Sequence, residues 1–295
     1  MLFSPHTGAV VSGAVMPEAF DWRSVNGTNW LNGTGHEVRD QRPMPPKSWG
    51  PPYTGDCDAC WAFSSMDVLS ARILVASRGA VRALPATNFL YDCMPGLAGC
   101  GFPGDASKAY NFLMNGTVGG APDESCSPVD AARGGNAQHC TGGTPCAGVC
   151  APATMCRNRT DGRGGAAYGG LLFGVESWTY LGEGTTVAQI QAELMAHGPI
   201  AAGMCVNKAW IGYAGGVLNA SDGAGCDKIG HDVNYVGWGT ATDAEGGLPY
   251  WTIRNSHGAA WGEGGFFRVE RGRNAWMIEE HMRAPIPRWQ PAAQR

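Results

Sequence analysis

The chain has 295 residues, 44% of them hydrophobic and eleven of them Trp, with a formal net charge of −4. That is ample apolar material for a sizeable core, and Lys and Arg scattered on an acidic balance exclude the basic faces that nucleic acids and membrane surfaces select. The 45 Gly and 19 Pro exclude a plain helical bundle and imply many turns and ordered loops.

The opening MLFSPHTGAVVSGAV lacks a basic start, and its apolar stretch is broken by Pro5 and His6. It is a poor signal peptide, so residues 1–16 read as the remnant of a leader or propeptide. From Cys60 onward apolar residues recur at Ala62, Met66, Leu69, Ile73 and Ala76, ahead of Gly79. That spacing predicts one buried face of a helix closed by a C-terminal glycine, with Cys60 at its N-terminal end.

Residues 119–170 carry five cysteines among dense Gly, Pro and Ala, which predicts crosslinked loops. Beyond them VESWTYL is strand-like, and a short helix begins at Thr186 with Gln189 as its capping-box partner and stops at Gly198 and Pro199. IAAGMCV, HDVNYVGWG, PYWTIRNS and GFFRVER then predict strands separated by Gly-rich turns, in an antiparallel sheet or small barrel.

Eleven cysteines allow five disulfides and leave one thiol over, a pattern of oxidising compartments in which the odd cysteine is a reactive candidate. Five sequons, at Asn26, Asn32, Asn115, Asn158 and Asn219, are candidate glycosylation sites and agree with passage through the secretory pathway. Cys57 and Cys60 by themselves form a CxxC compatible with a redox pair or half a zinc site. His139, Cys140, Cys146 and Cys150 also admit a metal-ligand reading, although disulfides suit an exported chain better. His231 and Asn255 taken singly read as a core histidine and a turn residue.

A thiol is nucleophilic only as thiolate, and a helix start together with a nearby imidazolium lowers its pKa. Cys60 in CDACWAF has the first, His231 in GHDVNYVGWG offers the second, and Asn255 in RNSHGAAWG offers a group to orient that ring. In these three ordered motifs the chain resembles the papain family of cysteine peptidases, from AFDWRSVNG to MIEEHM. Within that family EAFDWRSVNG, VRDQRP, APDESC, AHGPI and MIEEHM are similar to the cathepsin X branch of lysosomal carboxypeptidases.

The resemblance implies an α+β, papain-like two-lobed fold spanning residues 17–285. A helical N-terminal lobe (about 50–165) and an antiparallel, barrel-like C-terminal lobe (about 166–285) would flank the active-site cleft, with residues 286–295 as a tail. It implies Cys60 as nucleophile, His231 as base, Asn255 as its orienter and Gln41 as the oxyanion-hole amide. Arg42, Trp261 and Gly104 would bind substrate. It further implies the disulfides Cys57–Cys100, Cys93–Cys140, Cys126–Cys146 and Cys150–Cys156. Met282 stands where the branch has the partner of Cys205, and Cys226 is read as the replacement, leaving Cys60 unpaired.

The implied activity is peptide-bond hydrolysis through an acyl-enzyme, removing single C-terminal residues, without cofactor or metal. The implied setting is a lysosome, vacuole or extracellular space, and the implied partners are peptide or protein substrates and proteinaceous inhibitors of a monomer. An endopeptidase and a catalytically silent binding protein on the same fold are the alternatives, because the chain departs from the family pattern. Asp58 and Ala59 precede the nucleophile, Phe102 and Pro103 replace paired glycines so that a backbone N–H is lost, and His257 replaces the tryptophan that shields the asparagine–histidine bond. His257 and His281 are given no catalytic role.

Overall fold

A computed structural model describes residues 16–31, 38–41, 59–95, 104–115, 119–126, 150 and 170–291. Helix α1 (Cys60–Ala76) is its axis. The expectation of a single buried face is corrected: every residue from Trp61 to Leu74 is buried. One side of α1 packs with α2 (Asn88–Cys93) and α3 (Ala106–Asn115) around Phe63, Met66, Leu69 and Tyr110. The opposite side lies on the sheet, where the Ser64 hydroxyl donates to the Val233 carbonyl at 3.0 Å. The helix ends as its glycine requires, with Gly79 at φ +85° and its N–H donating to the Leu74 carbonyl at 2.8 Å, a left-handed closure that a Cβ would strain.

The rest is sheet. Strands β1 (Phe20–Asp21), β2 (Leu171–Gly182), β3 (Ile200–Met204), β4 (Val217–Leu218), β5 (His231–Thr240), β6 (Pro249–Arg254), β7 (Phe266–Glu270) and β8 (His281–Pro291) form one sheet. Its order is β2-β8-β3-β5-β6-β7-β4, with β1 added to β5. Helix α4 (Val187–His197) has the Thr186–Gln189 capping box that its sequence announces, and α5 (Lys208–Ile211) is a single turn capped by Asn207. A second core, containing Trp238, Trp251, Phe267 and Ile278, fills this half. Two cores on either side of α1 give the two lobes.

Three expectations need correcting. The sheet is open rather than barrel-closed, and β4 pairs with β7 in parallel. Residues 286–291, read as part of a tail, belong to β8, where Leu171 to Val175 pair with Pro291 to Pro287. Pro285, Pro287 and Pro291 disguise that strand, and they are tolerated because only Met282 and Arg283 of β8 also pair with β3. Finally, Cys93 is bonded to Cys150, not to Cys140, with their Cα atoms 5.4 Å apart. That contact removes Cys150 both from pairing with Cys156 and from the metal-ligand reading. Spatial approach, which spacing in the chain does not encode, decides connectivity. Cys205 and Cys226 are bonded across 5.6 Å. Cys126 is disulfide-bonded as well, and the pairings called for Cys57, Cys100, Cys140, Cys146 and Cys156 lie outside the described residues.

Candidate active site

Cys60 is the first residue of α1, is partly exposed, and is the described cysteine that no disulfide occupies. The first turn of a helix presents N–H groups with no intrahelical acceptor and the positive end of the macrodipole, so a thiolate is favoured there over a thiol. The N-cap, Ala59, contributes no side-chain acceptor to compete for that field.

His231 opens β5 and Asn255 follows β6, the neighbouring strand, so ladder pairing brings two residues 24 positions apart into contact. The His231 Nε2 lies 2.8 Å from Asn255 Oδ1. The Ser256 N–H also donates to this oxygen, at 2.8 Å. An amide oxygen only accepts, so Nε2 carries the proton of the neutral ring and Nδ1 is its basic nitrogen. Both side chains are buried. Trp210, on the single turn α5, packs against His231 with ring centroids 4.8 Å apart and planes tilted by 55°, and against Trp261 at 5.2 Å and 46°. Burial drives the His231 pKa down to about 4, the Asn255 bond opposes this, and the neighbouring His257 adds to the lowering. An imidazolium at neutral pH therefore needs an anionic partner, a part that a Cys60 thiolate could play.

Gln41 reaches the site through a short ribbon joining the two lobes. Its N–H donates to the Ser256 carbonyl at 2.9 Å and the Gly258 N–H donates to the Arg39 carbonyl at 3.0 Å. Gly258, at φ +70°, admits this approach because a Cβ there would lie 2.6 Å from the Asp40 carboxylate. The buried Arg39 pins the ribbon to α1 by an ion pair with Asp67 at 2.5 Å and to the start of α2 by a hydrogen bond to the Thr87 hydroxyl at 2.6 Å. The Ser256 hydroxyl donates to Gln41 Oε1 at 2.6 Å, which turns the two amide donors of Gln41 away from Ser256. Ser256→Ala should therefore lower kcat for peptide hydrolysis about tenfold, less than Gln41→Ala at roughly a hundredfold; steady-state kinetics of the two variants on one peptide would reveal any reversal of that order.

Gly104 lies against Trp61, where a Cβ would come within 2.3 Å of the indole, so the chain passes the residue after Cys60 closer than any side chain allows. Trp261 is partly exposed and packs against Tyr213 in a tilted contact at 5.6 Å and edge-on against His257 at 5.8 Å. Arg42, Asp58, Phe102 and Pro103 lie outside the described residues, as do Asn32 and Asn158. Asn26 and Asn115 are exposed, and Asn219 is partly so. Sequence reading missed Trp210, Ser256 and Arg39. Ser256 adjoins Asn255 in RNSH and Arg39 precedes Asp40 and Gln41 in VRDQ, but nothing in either stretch specifies the partner across the lobes.

The papain family cysteine protease domain matches residues 16–286. Cathepsin B-like cysteine proteinase 5 of Caenorhabditis elegans is 31% identical over 287 residues, covering 94% of this chain and 76% of that protein. Cathepsin Z of Onchocerca volvulus is 31% identical over 262 residues, covering 86% of this chain and 70% of that protein. Among solved structures, procathepsin B S9 of Trypanosoma congolense superposes with a TM-score of 0.66 at 22% identity, over 93% of this chain and 79% of that one. The bromelain protease of Ananas comosus in complex with the E64 inhibitor gives 0.59 at 20% identity, over 91% and 98%. The solved structures share the fold. With its domain match running almost end to end and relatives near one-third identity over most of their length, this chain belongs to the papain family of cysteine proteases.

Proposed function

We propose that this cysteine peptidase is a carboxypeptidase that releases single residues from the C-terminus of peptides. Cys60 is the nucleophile, His231 the general base and then acid, and Asn255 the group that fixes the imidazole. Attack of the thiolate forms a tetrahedral oxyanion held by the Gln41 amide and the Cys60 N–H. Its collapse expels the amine with the His231 proton, and water hydrolyses the thioester.

The observation that carries the exopeptidase reading is the anchoring of Gln41. The backbone of residues 39–41 pairs with that of 256–258, next to Trp261. Gln41, the residue before the Pro-rich insertion, is therefore held near Trp261, the expected wall of the side that receives the leaving residues. Arg42 follows Gln41 directly, and its planar fork matches a terminal carboxylate at any working pH. A peptide with a free C-terminus should lose one residue at a time, its C-terminal amide should react roughly thirtyfold more slowly, and Arg42→Ala should erase most of that difference. Mass spectrometry of the digests decides it, since internal cuts in an end-blocked peptide would make the enzyme an endopeptidase.

Oxidised cysteines, exposed sequon residues Asn26 and Asn115, and kinship to cathepsins support a glycosylated, lysosomal or secreted protein that works as a monomer. Proteinaceous cysteine-peptidase inhibitors are the expected partners besides substrate.

A further inference from the structure

His257 reaches the site on the same ribbon that carries Gln41. It pairs with Asp40 across that ribbon, between the Gln41–Ser256 and Gly258–Arg39 backbone bonds, so the two residues stand opposite each other on one face. From there its ring centroid lies 5.2 Å from that of His231, with the planes tilted by 43°. Two indoles flank it, Trp210 at 5.3 Å and Trp261 edge-on at 5.8 Å.

Two imidazoles are thus packed together, in unlike surroundings. His231 is buried and is held by Asn255 through Nε2. His257 is partly exposed, so protons from solvent reach it. The titratable groups it faces are His231 from β5 and Asp40 from the ribbon. From α5 it meets the neutral Trp210, while Lys208 of that turn is exposed.

We propose that His257 is a positioning residue that makes the enzyme acid-sensitive: once protonated, it opposes positive charge on His231 and disfavours the Cys60 thiolate–His231 imidazolium pair, and it releases the pair as pH rises. This deepens the peptidase reading of the same site and rests on it.

Histidine is the side chain that ordinarily changes charge between pH 5 and 8. The ring contact with His231, and a place two residues after Asn255, the partner of Nε2, set the charge of His257 against the imidazolium end of the pair. Two like charges at such a distance, with indoles excluding water beside them, shift an equilibrium by roughly tenfold. Burial already draws the His231 pKa down to about 4, the Asn255 bond opposes this, and His257 adds to the lowering. Little margin is left for a second positive charge.

The test follows kcat/KM from pH 7.5 to pH 5 for wild type, His257→Phe and His257→Gln, on an N-acetylated peptide whose sole titratable group is its C-terminal carboxylate. Both variants fill the position without ever carrying a charge, and melting temperatures check their folding. Each profile is normalised to its own value at pH 7.5, and the wild type should then lose about tenfold more activity by pH 5 than either variant. The rate of Cys60 alkylation by iodoacetamide should show the same difference, and it requires no turnover. Normalised profiles that coincide, or variants weaker by one constant factor at every pH, overturn the proposal, because a merely structural histidine would behave in that way. If alkylation carries the pH signature while the C-terminal bond of the peptide stays uncut, the carboxypeptidase reading fails and the role of His257 stands.

Discussion

His231→Ala should lower kcat/KM for peptide hydrolysis by about four orders of magnitude or more, and Cys60→Ala by at least as much, because the two act as one unit. Asn255→Ala should cost only about ten- to a hundredfold: it loses the 2.8 Å bond that orients the ring, not the proton carrier itself. The same geometry predicts a pH effect that a merely structural histidine would not show. With its pKa drawn to about 4 by burial, His231 becomes imidazolium near neutrality only against the Cys60 thiolate. In Cys60→Ala the ring should therefore stay neutral down to about pH 4, whereas in the intact enzyme it should stay charged well above that. NMR titration of the imidazole in the two proteins decides this. Equal pKa values, or equal losses for His231→Ala and Asn255→Ala, would contradict the assigned roles.

Arg72→Met should be the most damaging single change remote from the site, at about 3–5 kcal/mol and roughly 10 °C in melting temperature. Arg72 is completely buried in α1. Its guanidinium donates to the Pro199 and Pro285 carbonyls at 2.6 and 2.8 Å, to the Gly198 carbonyl at 3.3 Å and to Glu193 at 2.9 Å. One side chain thereby ties the nucleophile helix to the end of α4 and to β8, so methionine would leave three carbonyls and a carboxylate without their donor.

Burial by itself would raise the Glu193 pKa, but its bonds from His197 and Arg72 hold it at about 2. Because that value lies below the ordinary 4.5, the contribution of Glu193 is complete above about pH 4.5 and fades as pH falls toward 2. Without Arg72 the carboxyl protonates more readily, so the gap between variant and wild type should be widest at pH 7 and narrow by pH 3. Thermal melts at both pH values check this, and a variant within about 1 °C of wild type at pH 7 would refute it.

Local chemistry carried a good deal of this protein. The helix that starts at Cys60 and is closed by Gly79, the Thr186–Gln189 capping box and strands such as β5 and β6 follow from period and caps, interactions between residues close in the chain. The order of the three motifs holding Cys60, His231 and Asn255 was equally legible, because each is a short string of fixed chemistry. Packing decided what depends on distant segments meeting. Arg72 reads as an ordinary helix residue until α4 and β8 close over it. Pro285 and Pro287 read as breakers until β2 supplies the one partner their strand needs. Cys93 finds Cys150 because the fold brings their Cα atoms to 5.4 Å. Ser256 and Gln41 become a pair only across the lobes. Each of these depends on burial and on contacts between distant parts of the chain, and neither is present in a local stretch of sequence until the chain has closed on itself.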